Sequence, residues 1–466
     1  MSRRRTSVGS IFWGLTLVAV GGLLLARNLG YSLPIWGAIA KYWPVLIILW
    51  GLLKLIDYFR LRGDLEKRPL FSGGEVAILI CVLFVGSAIT AAANISPGIG
   101  EFFNFPTDFD FWDITGNNYQ YAEHQELQAT SGATIRIFNL YGFVDVKPSD
   151  GDRIVLDVEK VVRAATKEEA DRLAQEFTFS IRNEGSNYRV ASSRDENTVN
   201  VGIRIGNERQ RFKSSMTIRV PRKSLLEVTN KYGTVSVEGL EGNQTISNKY
   251  GSTSIQDITG GLTVTTGYGS AVIGNVSGDV NVTNAYASTT LRTMGAKVTV
   301  ENKYGSVDVQ DVKGDASIDN RYSVINAQRI AGSLTIRGRN NSVDVDDVNG
   351  AVDVETSYKN LSVRNTKGEI TLANRHGSID LELDDPVLRK EIRINATYSD
   401  VSIELPATAS FSFEGRTRYG DIDSEFDGFT VNSSGRERSI RGQQGGGDTR
   451  ITVETTHGSI RLEKRG

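Results

Sequence analysis

The chain has 466 residues, enough for more than one domain, and its 39% apolar content is ordinary for a folded protein. Its formal net charge is −2, but residues 1–75 hold ten lysines and arginines against four acidic residues, which leaves an acidic remainder. This distribution argues against nucleic acid as a partner. Cys81 is the single cysteine, which excludes an intramolecular disulfide, and the three dispersed histidines indicate no metal site or catalytic triad.

Three apolar segments near the N-terminus are long enough to cross a bilayer as helices. We predict spans at about 9–27, 35–59 and 75–94. A cleaved signal peptide is the alternative for the first segment, because three arginines precede it. Two further apolar segments follow, and no small-residue cleavage site lies between, so three spans are favoured. The lipid bilayer is therefore a predicted partner.

Basic residues flank these segments unevenly. Arg3, Arg4 and Arg5 precede the first span, and four more basic residues lie between the second and third, at 60–68. Because basic loops stay in the cytoplasm, the N-terminus is predicted to be cytoplasmic and the chain from about residue 95 to lie outside. The cytoplasmic segments are too short to hold an enzyme.

The next two segments differ in pattern. Residues 96–128 are rich in aromatic and acidic residues and are predicted to be a juxtamembrane linker. Residues 129–228 alternate apolar and polar residues, as in strands, with one helix predicted at about 166–178. Thr166 and Glu169 have the spacing of a capping box at its start, and an apolar face follows.

From Lys231 to Asn374 the sequence forms eight copies of eighteen residues without insertion or deletion. In the copy that contains Tyr304, the apolar residues come three, five, eight, twelve and fourteen places after the tyrosine, and Gly314 comes ten places after it. Pairs of apolar residues at a spacing of two indicate short strands with one face inward. A fixed period is typical of a solenoid.

The predicted fold is therefore an α-helical membrane region of three spans, followed by an all-β solenoid, a parallel β-helix with 18-residue coils over 229–383. Irregular coils and a cap are predicted for 384–466, with a loop at 435–448. A left-handed hexapeptide helix needs an aliphatic residue at every sixth position, whereas Ser306 stands six places before Val312. The sequence thus favours a right-handed helix.

Two columns of side chains recur with the coils. The aromatic column is Tyr232, Tyr250, Tyr268, Tyr286, Tyr304, Tyr322 and Tyr358, with His376 opening a ninth copy and Asn340 replacing the tyrosine of the seventh. The residue before each tyrosine is often basic, and this basic column is Lys231, Lys249, Lys303, Arg321, Arg339 and Arg375.

One interpretation of these columns is a stripe that binds an acidic polymer such as a polysaccharide. The other is structural, with tyrosines stacked at one corner of the coil and asparagines at another. We favour the structural interpretation, because a catalytic residue would occur once and not in every copy.

Evidence for catalysis is slight. The acidic cluster Asp344, Asp346 and Asp347 is the nearest candidate for a polysaccharide-active site, but its first two members alternate with inward valines and are predicted to face solvent. Motifs of serine hydrolases, zinc peptidases and phosphate-binding loops are absent. The sequence predicts a non-enzymatic protein without catalytic residues, metal ligands or a cofactor.

Two resemblances bear on function. Residues 9–56, with Trp43-Pro44 between apolar spans, resemble the membrane region of LiaI/LiaF-type bacterial envelope proteins. Residues from about 130 onward resemble the DUF4097 family of adhesin-like, or "toast rack", domains, through VPRKSLLEVTNKYGTVSVEGLEG (220–242) and the repeated YGxVxV. The resemblance implies an envelope protein that acts in adhesion or in sensing envelope stress.

Three functions follow as hypotheses. The first is a multi-pass protein of the bacterial cytoplasmic membrane whose outer β-helix serves adhesion, polymer binding or scaffolding. The second is an envelope-stress regulator that acts through a LiaF- or PspC-like membrane partner. The third is a polysaccharide-active enzyme at Asp346. An envelope polysaccharide and a membrane signalling protein are the alternative partners, and the sequence leaves the oligomeric state open.

Overall fold

A computed structural model describes residues 117–193, 212–387 and 391–465. The three predicted spans lie outside the described residues, and among the described ones no helix is long and apolar enough to cross a membrane. The described chain is almost entirely β-strand, and its strands join in one predominantly parallel sheet. The prediction of an all-β solenoid is confirmed, whereas its handedness stays a prediction.

The N-terminal module combines parallel and antiparallel strands. Its elements are β1 (Asn117–Gln128), β2 (Thr134–Pro148), β3 (Arg153–Ala164), α1 (Lys167–Glu176), β4 (Phe179–Glu184), β5 (Asn187–Ser192) and β6 (Phe212–Val220). Strands β3 and β6 pair antiparallel, as do β4 and β5. The linker predicted up to residue 128 is therefore wrong over Asn117–Gln128, where alternating half-buried side chains and pairing with β3 make a strand.

The helix begins with the predicted pair of capping residues. The Glu169 amide donates to Thr166 Oγ1 at 3.3 Å, and the Glu169 carboxylate accepts from the amide of Ala165 at 3.2 Å. Along the apolar face, Ala174 and Phe177 are buried. The helix lies within the range that the sequence predicted.

Most regular coils contribute two strands each. These strands are β7 (Leu225–Tyr232), β8 (Val235–Glu238), β9 (Gln244–Tyr250), β10 (Thr253–Ile258), β11 (Leu262–Thr266), β12 (Ala271–Val276), β13 (Val280–Asn284), β14 (Thr289–Met294), β15 (Val298–Tyr304), β16 (Val307–Val312), β17 (Ala316–Ile330), β18 (Leu334–Val348), β19 (Val352–Thr356), β20 (Leu361–Thr366) and β21 (Ile370–Glu382). In β17, β18 and β21 the two continue as one strand. Parallel partners differ by eighteen residues, as in Thr253 with Ala271. One sequence repeat is therefore one coil.

Apolar columns fill the interior of these coils. In the coil of Tyr304, the inner side chains are Val307, Val309, Val312, Ala316 and Ile318, each no more than 2% exposed. Each stacks on its equivalents in the coils above and below, so the core continues along the solenoid. This burial is the main stabilising term for the fold.

The bend around each tyrosine has an inner and an outer side. Asn302 is buried, and its Nδ2 donates to the carbonyl oxygen of Gly305 at 3.0 Å, whereas Tyr304 on the outer side is 45% exposed. Gly305 has a φ of +148°, and a Cβ on it would lie 2.3 Å from the carbonyl oxygen of Ala287. Asparagine and tyrosine therefore flank one bend, so the predicted separate corners are wrong.

A second backbone feature recurs seven places after each tyrosine of the aromatic column and after Asn340. The residues there have φ between 50° and 72°, a left-handed conformation, and are Gly239, Asp257, Asn275, Thr293, Asp311, Arg329, Asp347 and Asn365. Glycine, asparagine and aspartate tolerate this conformation better than other residues. Their prevalence in the column is a sequence signal for a turn within the coil.

The C-terminal strands do not stack in chain order. They are β22 (Ile392–Pro406), β23 (Phe411–Thr417), β24 (Ile422–Ser424), β25 (Thr430–Ser434), β26 (Glu437–Gln444), β27 (Thr449–Thr455) and β28 (Ile460–Arg465). The coil of β27 and β28 lies between β22 on one side and β23 with β24 on the other.

The loop predicted at 435–448 is wrong over Glu437–Gln444, because this segment is strand β26. It pairs antiparallel with both β23 and β25, and Ile440 is fully buried. A single apolar residue among polar ones gave no alternating pattern, so only the pairing partners identify the strand.

Candidate ligand-binding surface: an exposed aromatic ladder

The recurring tyrosines form a stack of rings, in two parts, on the outside of the bends. The first part of this aromatic ladder runs through Tyr141, Tyr232, Tyr250, Tyr268, Tyr286, Tyr304 and Tyr322. Ring centroids are 4.6 to 5.1 Å apart, and the planes differ by 3° to 11°. This separation is the distance between paired strands, so the sheet sets the ladder spacing.

The second part of the ladder follows spatial order and not chain order. It runs through Tyr358, His376, Tyr398, His457 and Tyr419, with centroids 4.4 to 5.0 Å apart. Tyr141, Tyr398, His457 and Tyr419 were not among the predicted members. Their sequence signal is the same aromatic-Gly/Ser motif at irregular spacing, but the inserted position of His457 follows only from the C-terminal strand order.

The ladder exposes the edges of its rings, because each inner ring is covered on both faces by its neighbours. Tyr268, Tyr286 and Tyr304 are 49%, 52% and 45% exposed. A ligand running along the ladder therefore meets ring edges and phenol hydroxyl groups, which donate and accept hydrogen bonds. Tyrosine faces are open to a ligand only where the stack ends or is broken.

The basic column runs directly beside the ladder. Lys231 and Lys249 place their Nζ atoms 5.6 and 5.3 Å from the centroids of Tyr232 and Tyr250, within cation–π range. At the far end, the guanidinium groups of Arg418 and Arg436 lie 5.5 and 5.7 Å from the centroid of Tyr419. Positive charge thus accompanies both ends of the aromatic ladder.

Arginines of the regular coils fall into two classes. Those outside the basic column form ion pairs: Arg292 with Asp308, Arg329 with Asp311, Arg337 with Asp353 and Arg364 with Asp344. Arg321, Arg339 and Arg375 belong to the basic column, are exposed, and pair with no carboxylate in the described part of the chain.

Lys303, Arg321 and Arg339 stand in three successive coils, about 4.8 Å apart along the stack. Like charges in adjacent strands repel one another, which destabilises the sheet locally. An anion placed alongside would relieve this repulsion. The basic column is therefore suited to attract an anion.

The acidic cluster has structural partners. Asp344 accepts from Arg364 Nη2 at 2.8 Å, and Asp346 accepts from Asn365 Nδ2 at 2.9 Å. Asp347 occupies the left-handed column, with φ of 57°. Among the described residues, no group of three or more histidine, cysteine, aspartate or glutamate side chains is placed to hold a metal ion.

Fold and surface together define a parallel β-solenoid with a ladder of stacked aromatic rings along one line of bends. The chain belongs to the toastrack DUF4097 family, whose model matches residues 144–463. The LiaF transmembrane domain matches residues 12–104, so the protein is a membrane protein. No curated protein is significantly similar to the chain.

Two solved structures are similar over most of their length. One is a candidate cell adhesion protein from Clostridium sporogenes ATCC 15579, 8% identical, covering 74% of this chain and 100% of that one, with a TM-score of 0.19. The other is a candidate adhesin from Bacteroides fragilis NCTC 9343. It is 10% identical and covers 73% of this chain and 97% of that one, with a TM-score of 0.25.

Proposed function

We propose that this protein is a non-catalytic cell-envelope protein, anchored in the bacterial cytoplasmic membrane by its N-terminal spans. Its solenoid lies outside the cytoplasm and binds an acidic envelope polymer along the aromatic ladder and the basic column. Lys303, Arg321 and Arg339 carry this proposal, because they are exposed in three successive coils beside hydroxyl-bearing rings and have no carboxylate partner within 117–193, 212–387 and 391–465. An extended polyanion matches a row of charges, whereas a small anion would contact only one or two.

The membrane placement rests on two observations. The LiaF transmembrane domain matches residues 12–104, which include most of the predicted spans. The excess of basic residues before the first span and between the second and third favours a cytoplasmic N-terminus. The residues that follow the third span, including the whole solenoid, are then outside.

A non-catalytic role is favoured by the repetition of the surface. The cations and rings recur coil after coil, and the acidic cluster is explained by ion pairing and by the left-handed backbone at Asp347. A repeated surface binds a repeated ligand, whereas catalysis needs one unique arrangement of groups.

The test measures binding of acidic and neutral polysaccharides to the full-length protein in neutral detergent by isothermal titration calorimetry. We expect binding of the acidic polymer alone, weakened by added salt because exposed charges are screened. Arg321→Gln should weaken binding about five-fold, since a cation near an anionic surface contributes about 1 kcal/mol. Arg337→Gln is the matched control, because Arg337 is paired with Asp353 and should leave binding unchanged. Equal binding of neutral polymers, or none of acidic ones, would contradict the proposal.

A regulatory role is the second candidate, and the match to the LiaF transmembrane domain favours it. In this role the spans contact a membrane-bound signalling protein, and the solenoid responds to the envelope. Photo-crosslinking groups placed within 9–27 and 35–59 should capture such a partner in native membranes. Crosslinks to lipid alone would count against regulation and leave polymer binding unaffected.

A further inference from the structure

The aromatic ladder is broken at one coil. Tyr322 stacks on Tyr304 at 5.1 Å, and Tyr358 stacks on His376 at 4.9 Å, but Asn340 stands between them and supplies no ring. Asn340 pairs in register with Tyr322, and Ser357 Oγ donates to the Arg339 carbonyl oxygen at 2.7 Å, which keeps the next coil in step. Tyr322 and Tyr358 are therefore two strand spacings apart, about 9.6 Å, which leaves room for one ring.

The fold does not require this gap. In the same coil Gly338 replaces the buried asparagine, and Asn341 replaces the glycine that follows the tyrosine in most coils. Asn341 is fully buried, accepts from the Arg339 amide at 2.9 Å and donates to the Ser323 carbonyl oxygen at 3.3 Å. Asn341 thus supplies the inner hydrogen bonds that the buried asparagine makes in other coils. The residue on the outer side of this bend need not be a tyrosine.

The gap has apolar walls and a cationic rim. One face of Tyr322 and one of Tyr358 lack a stacked ring. Tyr358 is 57% exposed, more than the stacked Tyr286 at 52%, whereas Tyr322 at 44% is about as exposed as the stacked Tyr304. Arg321 and Arg339, just before the ladder positions of their coils, are exposed and have no carboxylate partner among the residues described. A six-membered ring that carries an anionic substituent matches both features, because the ring packs on the tyrosines and its charge reaches a guanidinium group.

We propose that the gap at Asn340 is a subsite for one uronic-acid ring of an acidic glycan. The C–H faces of the pyranose stack between Tyr322 and Tyr358, and its carboxylate binds Arg321 or Arg339. The neighbouring sugars lie outside the gap, beside the basic column, because the two tyrosines cover the faces of the bound pyranose. This inference rests on the proposed polymer binding and names the ligand class and its anchoring point.

The decisive variant of the full-length protein is Asn340→Tyr, which supplies the missing ring and completes the ladder. We expect it to weaken binding of oligogalacturonate about ten-fold, because the stacking on both walls is lost. Its thermal unfolding temperature should stay the same or rise, since the ring stacks on both neighbours. Asn340→Ala is the matched control and should bind like the wild type, because it leaves the gap open.

Two further ligands test separately whether binding needs the negative charge and whether it needs the sugar ring. Polyglutamate carries negative charge without rings, and dextran carries rings without charge, so both should bind more weakly than oligogalacturonate and be insensitive to Asn340→Tyr. Tyr358→Ser removes one wall without filling the gap and should weaken oligogalacturonate binding as well, which covers the case in which Asn340→Tyr fails to fold.

The outcomes are distinguishable. If the wild type binds oligogalacturonate and neither Asn340→Tyr nor Tyr358→Ser changes the affinity, the subsite is overturned while polymer binding stands. If polyglutamate binds as well as oligogalacturonate, the ligand class is overturned in favour of an acidic peptide. If the wild type binds no acidic polymer, the subsite and the proposed function fail together.

Discussion

At the scale of single residues, polar side chains stabilise the fold by bonding to backbone groups that the strands leave unpaired. The buried Asn302 does this at a bend, where its amide donates to the Gly305 carbonyl oxygen. Lys160 does it beside α1, where its ammonium group donates to the carbonyl oxygens of Ala174 and Phe177 at 2.9 and 2.6 Å. These carbonyls belong to the end of the helix, where backbone acceptors have no helical partner.

Replacing Lys160 tests this role. Lys160 is 3% exposed and also pairs with Glu123, so Lys160→Met would leave two carbonyl oxygens and a half-buried carboxylate without their donor. We expect a loss of about 3 kcal/mol in the free energy of unfolding, as for other broken buried pairs. Urea denaturation measures this free energy of unfolding. Lys147→Met is the control: Lys147 is exposed, so its pair with Asp145 should contribute less than about 1 kcal/mol.

Asp157 predicts a pH dependence. A hydrogen bond from His124 at 2.6 Å, assisted by Arg219, lowers the pKa of the Asp157 carboxyl below its ordinary value. The ionised form is therefore favoured by folding, and its contribution is present at neutral pH and lost as the pH falls below about 4. Asp157→Asn should lower the thermal unfolding temperature at pH 7.

The difference between wild type and Asp157→Asn should shrink as the pH is lowered toward 3. Arg219→Gln removes one of the interactions that lower the pKa and should reproduce part of the pH 7 effect. A difference that is the same at pH 3 and pH 7 would show that the Asp157 carboxylate is not the titrating group.

At the scale of elements, each coil bends at fixed positions, and the residue types at those positions determine how much backbone strain the bend carries. The left-handed column seven places after the tyrosine is the clearest case, because every coil from Gly239 to Asn365 adopts it. Thr293 is the β-branched member of this column, with φ of 63°. Threonine is strained in this conformation, by about 1–2 kcal/mol relative to ordinary backbone.

Thr293→Asn should therefore stabilise the protein, by up to about 1 kcal/mol, since asparagine tolerates left-handed backbone. The reverse change one coil earlier, Asn275→Thr, should destabilise it by a similar amount, and it also removes a hydrogen bond to Asp257. Thermal unfolding of both variants tests whether the first change raises the unfolding temperature and the second lowers it. Destabilisation by Thr293→Asn would mean that the threonine makes a contact worth more than the strain.

At the scale of the whole molecule, stability comes from stacking between neighbouring coils, so coils should be removable in whole units. Deleting residues 269–286 removes eighteen residues and joins Tyr268 to Ala287, which keeps every column in register. We expect a folded protein with a ladder shorter by one ring and a lower unfolding temperature. Deleting only 269–277 shifts inner residues out of register and should prevent folding, as measured by circular dichroism.

Much of this arrangement is encoded locally. The spacing of valines and isoleucines predicted the coil length and the inner columns, because a side chain either faces the interior or does not, and a period of eighteen leaves one consistent stacking. The glycine after the tyrosine, as at Gly305, likewise reflects a steric demand that the sequence displays directly. Strands β1 and β26 were missed, since their polar composition hides a pairing that distant strands impose.

The sequence by itself determined the solenoid and the aromatic and basic columns, because each depends on a periodic pattern of side-chain types. Only the tertiary structure decided that Asn302 and Tyr304 flank one bend, that the rings expose their edges, and that His457 stands between Tyr398 and Tyr419. Ion pairing was also decided in three dimensions, because charges meet across coils eighteen residues apart. The surface proposed for ligand binding follows from that pairing: in the regular coils the arginines outside the basic column form ion pairs, and those of the basic column are exposed.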